Sequence, residues 1–228
     1  MIDLEEVTKV FNKGNANECI AIDNISLSID ARKITVLKGP SGSGKTTALS
    51  IIGAMTKPTS GRVRIFGDEI TSLPERFLSR IRRRSFGFIF QQFNLIKGVT
   101  ALENVMIPAY PSGEKHRVLR SRALDLLELF NLSHKATSRI EWLSGGEAQR
   151  ITIARALMNN PEIIIADEPT AHLDTKLSTE FMEIIARLNN EGRTILIASH
   201  DPLVYGSSVV ERLIEFRDGR ITAPGALQ

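Results

Sequence analysis

Residues 39–47 read Gly-Pro-Ser-Gly-Ser-Gly-Lys-Thr-Thr, with a short apolar run before them and a helical pattern behind them. The stretch fits G-x-x-x-x-G-K-[ST], a turn whose backbone N–H groups wrap phosphate oxygens between a strand and a helix. Lys33–Lys38 supplies the strand, with Ile34, Val36 and Leu37 apolar. Ala48, Leu49, Ile51, Ile52 and Met55 recur at helical spacing after the loop. Each residue type has a physical task. Gly42 and Gly44 let the backbone turn its N–H groups inward. The helix start presents its positive end to the same anion. The Lys45 ammonium is expected to reach the β- and γ-phosphates, and the Thr46 hydroxyl to hold Mg²⁺. The competing reading is a Gly/Ser turn before an ordinary helix. Strand, loop, Lys-Thr and helix all in order favour a nucleotide site lined by Gly39, Pro40, Ser41, Gly42, Ser43, Gly44, Lys45, Thr46 and Thr47.

A chain of 228 residues can build one domain with a sizeable core around such a loop. At 42% hydrophobic and 24% charged residues the composition is ordinary for a globular protein. The net charge of +3 is a small Lys/Arg excess that gives no argument for nucleic acid, although the sequence pI is 9.1. A single cysteine, Cys19, excludes an internal disulfide, fits a reducing compartment, and reads as a packed or incidental thiol. The acidic start Met-Ile-Asp-Leu-Glu-Glu lacks a signal-peptide core, and no apolar run approaches the ~20 residues that span a bilayer. A soluble chain is expected, with any membrane connection made through a partner.

Before the loop, Ile2–Val7 and Ile25–Ile29 predict strands, with Lys13–Asn17 a turn between them. Phe11 is either a stacking surface for an adenine ring or a core aromatic at a strand end, and the residues alone leave both open. Arg62–Phe66 is another strand, closed by Gly67-Asp68. Pro74–Arg84 predicts a helix with Phe77, Leu78 and Ile81 inward, and Arg80, Arg82, Arg83 and Arg84 load the rest of it with charge. That charge is either a solvated helix end or a contact for acidic lipid headgroups or an acidic partner loop.

Phe86–Phe90 predicts a strand ending at Gln91-Gln92. Thr100 and Glu103 have capping-box spacing and open a helix that Pro108, Pro111 and Gly113 break. His116–Phe130 holds helical register through Leu119, Ala123, Leu126, Leu127 and Phe130. Residues 92–140 are therefore expected to be a helical subdomain inserted between two α/β stretches, 1–91 and 141–228, of one domain. Ser144 and Glu147 form a second capping-box pattern before a stripe of Ile151, Ala154, Leu157 and Met158. A well-capped core helix is the plain reading. Gly145 and Gly146 also leave the first-turn N–H groups open to an anion.

Glu162–Glu168 is an apolar strand ending in two carboxylates, and parallel strands bind ligands at their carboxyl ends. Asp167 is expected to hold Mg²⁺, directly or through water, and Glu168 to polarise an attacking water. The alternative is a plain Asp-Glu-Pro turn. Leu177, Phe181, Ile184, Ile185 and Leu188 stripe one more helix. Thr194–Ser199 predicts a buried strand; a lone histidine at a strand end is usually incidental, but a place for this strand beside that of Asp167 brings His200 to the γ-phosphate side. Arg217–Arg220 reads as a hairpin-like turn.

In this order the stretches resemble an ATP-binding subunit of an ABC transporter, over almost the full length. Gly39–Thr47 is similar to the Walker A loop, Gln91 to the Q-loop glutamine and Leu143–Glu147 to the LSGG signature. Ile163–Glu168 resembles the Walker B strand with its catalytic glutamate, Ala171–Asp174 the D-loop and His200 the switch histidine. The signature ahead of Walker B is far more specific than the phosphate loop alone. The resemblance implies an α/β fold, a P-loop NTPase (RecA-like) core with an antiparallel β-subdomain and an inserted α-helical subdomain. It implies ATP and Mg²⁺ as ligands and ATP hydrolysis as the activity. Lys45, Glu168 and His200 would be catalytic, and Thr46, Gln91 and Asp167 would surround the metal. Two copies would pair head to tail, so that Ser144, Gly145, Gly146, Glu147 and Asp174 of one copy complete the site of the other. Phe11 matches the adenine-stacking aromatic.

Phe86–Leu95, Thr100–Val105 and the arginine helix before them look most like the macrolide-export and lipoprotein-release group (MacB/LolD-like). That implies an ATPase subunit at the cytoplasmic face of the bacterial inner membrane, driving export or force transmission through an integral membrane permease partner with a large extracytoplasmic domain. Two departures stand out: the D-loop reads Ala-His-Leu-Asp, and the signature continues Glu-Ala-Gln-Arg. A regulatory ATPase of the FtsE type and a soluble assembly ATPase are the alternatives. A DNA-maintenance ATPase of this signature needs a coiled coil for which Gln91–Ser144 has no room.

Overall fold

Strands buried on both faces need apolar side chains through their middle, and two segments of this chain meet that demand. In the computed structural model, which describes residues 1–225 and side chains through Thr222, Ile163–Asp167 and Thr194–Ser199 are neighbouring parallel strands inside a six-stranded sheet. Ile164, Ala166, Ile195 and Ile197 face one core, while Ile163, Ile165, Leu196 and Ala198 face the other.

In chain order the elements are β1 (Ile2–Phe11), β2 (Cys19–Ile29), β3 (Ile34–Lys38), α1 (Lys45–Ile52), β4 (Ser60–Ile65), β5 (Asp68–Glu69), α2 (Glu75–Ser85) and β6 (Phe86–Ile89). There follow α3 (Ala101–Met106), α4 (His116–Leu129), α5 (Gly145–Leu157), β7 (Ile163–Asp167), α6 (Thr175–Asn190), β8 (Thr194–Ser199), α7 (Pro202–Tyr205), β9 (Arg212–Arg217) and β10 (Arg220–Gly225). The large sheet runs β10-β9-β3-β8-β7-β6, parallel from β9 to β6, and a smaller antiparallel sheet runs β2-β1-β4-β5. Helix α1 packs between the two sheets, and α3 to α6 cover the opposite face of the large one. Every segment between β6 and β7 that has regular structure is helical.

The structure revises several expectations. Strand β1 continues past Val7 to Phe11, and β2 begins at Cys19, well before Ile25. Bulges explain the difference. The buried positions switch parity between Leu4 and Val7 and between Ile22 and Ile25, where Glu6 and Asn24 take left-handed φ values of 49° and 47°. The α-helix ends just ahead of Pro108 as expected, but a 3-10 helix, Ile107–Ser112, carries the chain on from α3 until Gly113 at φ 77° ends it. Phe77 faces outward at 37% exposure rather than into the core. The Asp218-Gly219 turn joins β9 and β10 as a hairpin, with both residues at positive φ.

Candidate functional site

Strands β3, β8 and β7 are adjacent and in register, with Lys38 opposite Ser199 and Ala198 opposite Asp167. Their carboxyl ends therefore open onto one edge, where α/β sheets present ligand-binding groups. Three segments leave that edge together: the loop from Gly39, the carboxylates at Asp167-Glu168, and His200.

The loop is fixed by contacts that forbid side chains. A Cβ on Gly39 would lie 2.2 Å from the Phe216 carbonyl oxygen, and one on Gly44, at φ 104°, would lie 2.6 Å from that of Ala21. Gly44 immediately precedes α1, and no side chain caps the first N–H groups of that helix. Lys45 is buried, its Nζ donating to the carbonyls of Gly39 (2.7 Å) and Pro40 (2.9 Å) and standing 3.6 Å from Glu168 Oε1. The Ser43 hydroxyl is buried with no hydrogen-bond partner. A buried orphan of this kind beside a cationic loop is a position that a ligand oxygen satisfies.

Thr46 Oγ1 donates to Asp167 Oδ1 at 3.1 Å. Burial raises the Asp167 carboxyl above its ordinary pKa of 3.8, Glu168 adds to the rise, and Thr46 and Lys45 oppose it. A carboxylate held at such a cost, beside a hydroxyl, is a donor set suited to a hard divalent cation. Glu168 leaves β7 at φ 45°, an unfavourable conformation for a non-glycine residue, fixed by its own N–H donating to the Ala198 carbonyl at 2.9 Å. Its Oε2 accepts from the His200 backbone N–H at 3.3 Å and lies 2.9 Å from His200 Nδ1, so carboxylate and imidazole form one unit.

The remaining candidates stand apart from this cluster. Gln91 follows β6, whose Ile89 pairs with Ala166; continuing that register brings Gln91 level with Glu168, exposed and on the same edge. Phe11 ends β1, 41% exposed, with the Lys9 ammonium 5.0 Å from its ring centre. Asp174 caps α6, accepting from the Leu177 N–H at 2.9 Å. At the start of α5 both capping-box bonds are made, and Lys135 pairs with Glu147 at 3.0 Å. Ser144 and Gly145 are exposed. Gly146 has a packing reason as well, since a Cβ there would meet Leu177 Cδ2 at 2.8 Å. Among the described residues no hydrogen bond or ion pair joins Ser144–Glu147 to Lys45, Asp167 or Glu168.

Two ties were missed by sequence reasoning. The buried Gln149 amide donates to the Pro169 carbonyl at 3.0 Å, linking α5 to the turn after Glu168. Arg155 donates to the carbonyls of Phe93 (2.6 Å) and Asn94 (2.5 Å), pinning the segment after Gln91, where both residues have positive φ. Burial brings the Arg155 pKa down to about 10, so the pin stays charged at neutral pH.

A phosphate loop, a metal-suited Thr-Asp pair and a glutamate held by histidine define a P-loop nucleotide hydrolase. A family model described as ABC transporter matches residues 22–171, about two thirds of the chain. The macrolide export ATP-binding/permease protein MacB of Rhodopseudomonas palustris (strain HaA2) is 41% identical over 230 residues, covering 99% of this chain and 35% of that protein. MacB of Burkholderia pseudomallei (strain K96243) is 42% identical over 221 residues, covering 97% and 33%. The chain thus spans about a third of the length of these curated relatives. A solved dimeric bacterial ABC transporter cassette superposes with a TM-score of 0.90 at 41% identity, covering 100% of this chain and 99% of the other. A dimeric post-hydrolysis state of such a cassette, bound to ADP and Pi, gives 0.90 at 40% identity with the same coverage. The chain belongs to the ABC transporter ATP-binding family and is an ATPase of that family, similar to the MacB nucleotide-binding region.

Proposed function

We propose that the chain hydrolyses Mg-ATP as a head-to-tail homodimer and drives a membrane permease of the macrolide-export and lipoprotein-release type. The observation that carries this reading is the division of the phosphate-competent surfaces. Lys45, Thr46, Asp167, Glu168 and His200 gather at one sheet edge, while the capped start of α5 at Ser144 is exposed and bonded to none of them. A second copy brings the missing half.

The roles follow from the geometry. Lys45 exchanges the Gly39 and Pro40 carbonyls for phosphate oxygens, and the Ser43 hydroxyl gains the partner it lacks. Thr46, Asp167 and Gln91 offer hydroxyl, carboxylate and amide oxygens, the hard set that fits Mg²⁺. Bound there, Mg²⁺ supplies charge neutralisation on the β- and γ-phosphates. Glu168 orients the attacking water and takes its proton through a carboxylate oxygen, and His200 holds that carboxylate in place. Phe11 offers its exposed ring to the adenine, and Asp174 holds the start of α6 beside the dimer contact.

Residues 1–91 and 141–228 form the nucleotide-binding part in this reading, and 92–140 the part that meets the permease. A groove of about 460 Å³ supports it, lined by Phe88, Phe90, Ile96, Ile107, Pro108, Arg83 and Arg155, where the segment after Gln91 meets the helical section. No helix of the described residues is long and apolar enough to cross a membrane, so a permease segment in this groove would hold the chain at the cytoplasmic face of the inner membrane. Co-purification of Glu168→Gln with ATP from detergent-solubilised membranes tests the partner. Recovery of a permease with four membrane helices and a large external domain supports the reading; reproducible recovery of soluble assembly proteins alone refutes it.

A further inference from the structure

Helix α2 carries five arginines and one acid, and the helix divides them between two tasks. Arg82 donates to the Ala54 carbonyl at 2.6 Å and pairs with Glu75, the only acid of the helix. Arg83 donates to the Pro111 carbonyl at 2.5 Å and so joins α2 to the helical section. Arg76, Arg80 and Arg84 are exposed and make no hydrogen bond or ion pair among the described residues. At 3.6 residues per turn their four-residue spacing lays them in one stripe spanning about 80° of the helix. Phe77 lies beside that stripe, 37% exposed, with the guanidinium of Arg76 at 4.8 Å and that of Arg80 at 6.0 Å from its ring centre. Leu78 and Ile81 occupy the opposite side and pack into the core.

We propose that this outer face of α2 docks on the anionic headgroups of a membrane leaflet. A solvated face needs charge but gains nothing from an aromatic ring held outward between guanidinium groups. A headgroup layer rewards both: arginines meet phosphate oxygens, and the ring enters the acyl boundary. The orientation rests on the permease reading above. Ser79, Arg82 and Arg83 line the groove assigned to the permease, so the stripe borders the surface that faces the membrane. Lipid and permease then hold the chain through adjoining but separate contacts.

The test is flotation of the 228-residue chain with neutral phosphatidylcholine vesicles and with vesicles containing phosphatidylglycerol, at several salt concentrations. Partition into the anionic vesicles is expected, weakening as salt rises. Each arginine near such a surface contributes about fivefold, so Arg76→Ala/Arg80→Ala/Arg84→Ala should lose on the order of 10²-fold. ATP hydrolysis and melting temperature should not change, because these side chains touch only the exposed Phe77 ring and make no hydrogen bond or ion pair among the described residues; if melting does shift, Phe77→Leu and the salt dependence of the unaltered chain carry the test. Equal binding to both vesicle types, or undiminished binding by the triple variant, overturns the proposal. If the triple variant loses permease co-purification while the unaltered chain ignores anionic vesicles, the stripe reads an acidic protein segment and the lipid proposal fails. Vesicle binding without a recovered permease would leave the lipid contact standing and sink only the partner reading.

Discussion

Glu168 is asked to do two things that a relaxed strand end would not allow together. It must point a carboxylate at the phosphate loop while its own N–H stays in the sheet, and φ 45° is how both are met. Such backbone strain costs roughly 1–3 kcal/mol and persists only where neighbours over-determine it, here Ala198 through the N–H and His200 through the carboxylate. Glu168→Gln keeps the acceptor for the His200 N–H but cannot take a proton. Phosphate release should fall by about 10²–10⁴-fold with nucleotide affinity retained; a variant that still turned over within tenfold of the original would remove Glu168 from the chemistry. The loop and the two carboxylates were legible in the sequence because each is a short run whose residue types have few other uses. Arg155 and Gln149 were not, since they act on main-chain carbonyls 61 and 20 residues away that no pattern in their own helix announces.

At the scale of elements, α5 is tied at its start by the Ser144–Glu147 capping box and in its last turn by Arg155. Arg155→Leu should strand the Phe93 and Asn94 carbonyls in a segment already at positive φ. The loss of two charge-assisted bonds is worth roughly 3–6 kcal/mol, or a fall in melting temperature of about 6–24 °C. An unchanged melting curve would show that the pin does not hold the segment. Acid sensitivity belongs to the same region. Thr100 lowers the Glu103 carboxyl, Arg122 that of Glu114, backbone N–H groups including that of Gly98 that of Glu141, and Ser144 with Lys135 that of Glu147. A carboxylate whose folded pKa is depressed adds stability above its ordinary value of 4.5, and that stability is lost as pH falls through the folded pKa. Below about pH 4.5, amide exchange should therefore accelerate in α3, α4 and the start of α5 before it does in β3, β7 and β8. The capping boxes were legible from four-residue patterns. The bulges in β1 and β2 were not, because a parity switch looks like the end of a strand until the partner strand is known.

Across the whole molecule, one sheet separates two cores, one shared with the antiparallel sheet and α1, the other with the helical section. That layering aims the phosphate loop and the start of α5 from different elements, so a site built from both takes two copies. The most direct test is the solution mass of Glu168→Gln, with a chain mass of 25.2 kDa, with and without Mg-ATP. Glu168→Gln is expected to be a monomer that doubles in mass when Mg-ATP saturates it. Ser144→Arg added to it should keep the monomer and its Mg-ATP affinity while abolishing the dimer, at a cost of about 1 kcal/mol for the lost cap. A Glu168→Gln chain that stays monomeric at saturating Mg-ATP, or a dimer indifferent to Ser144→Arg, would contradict the two-copy site.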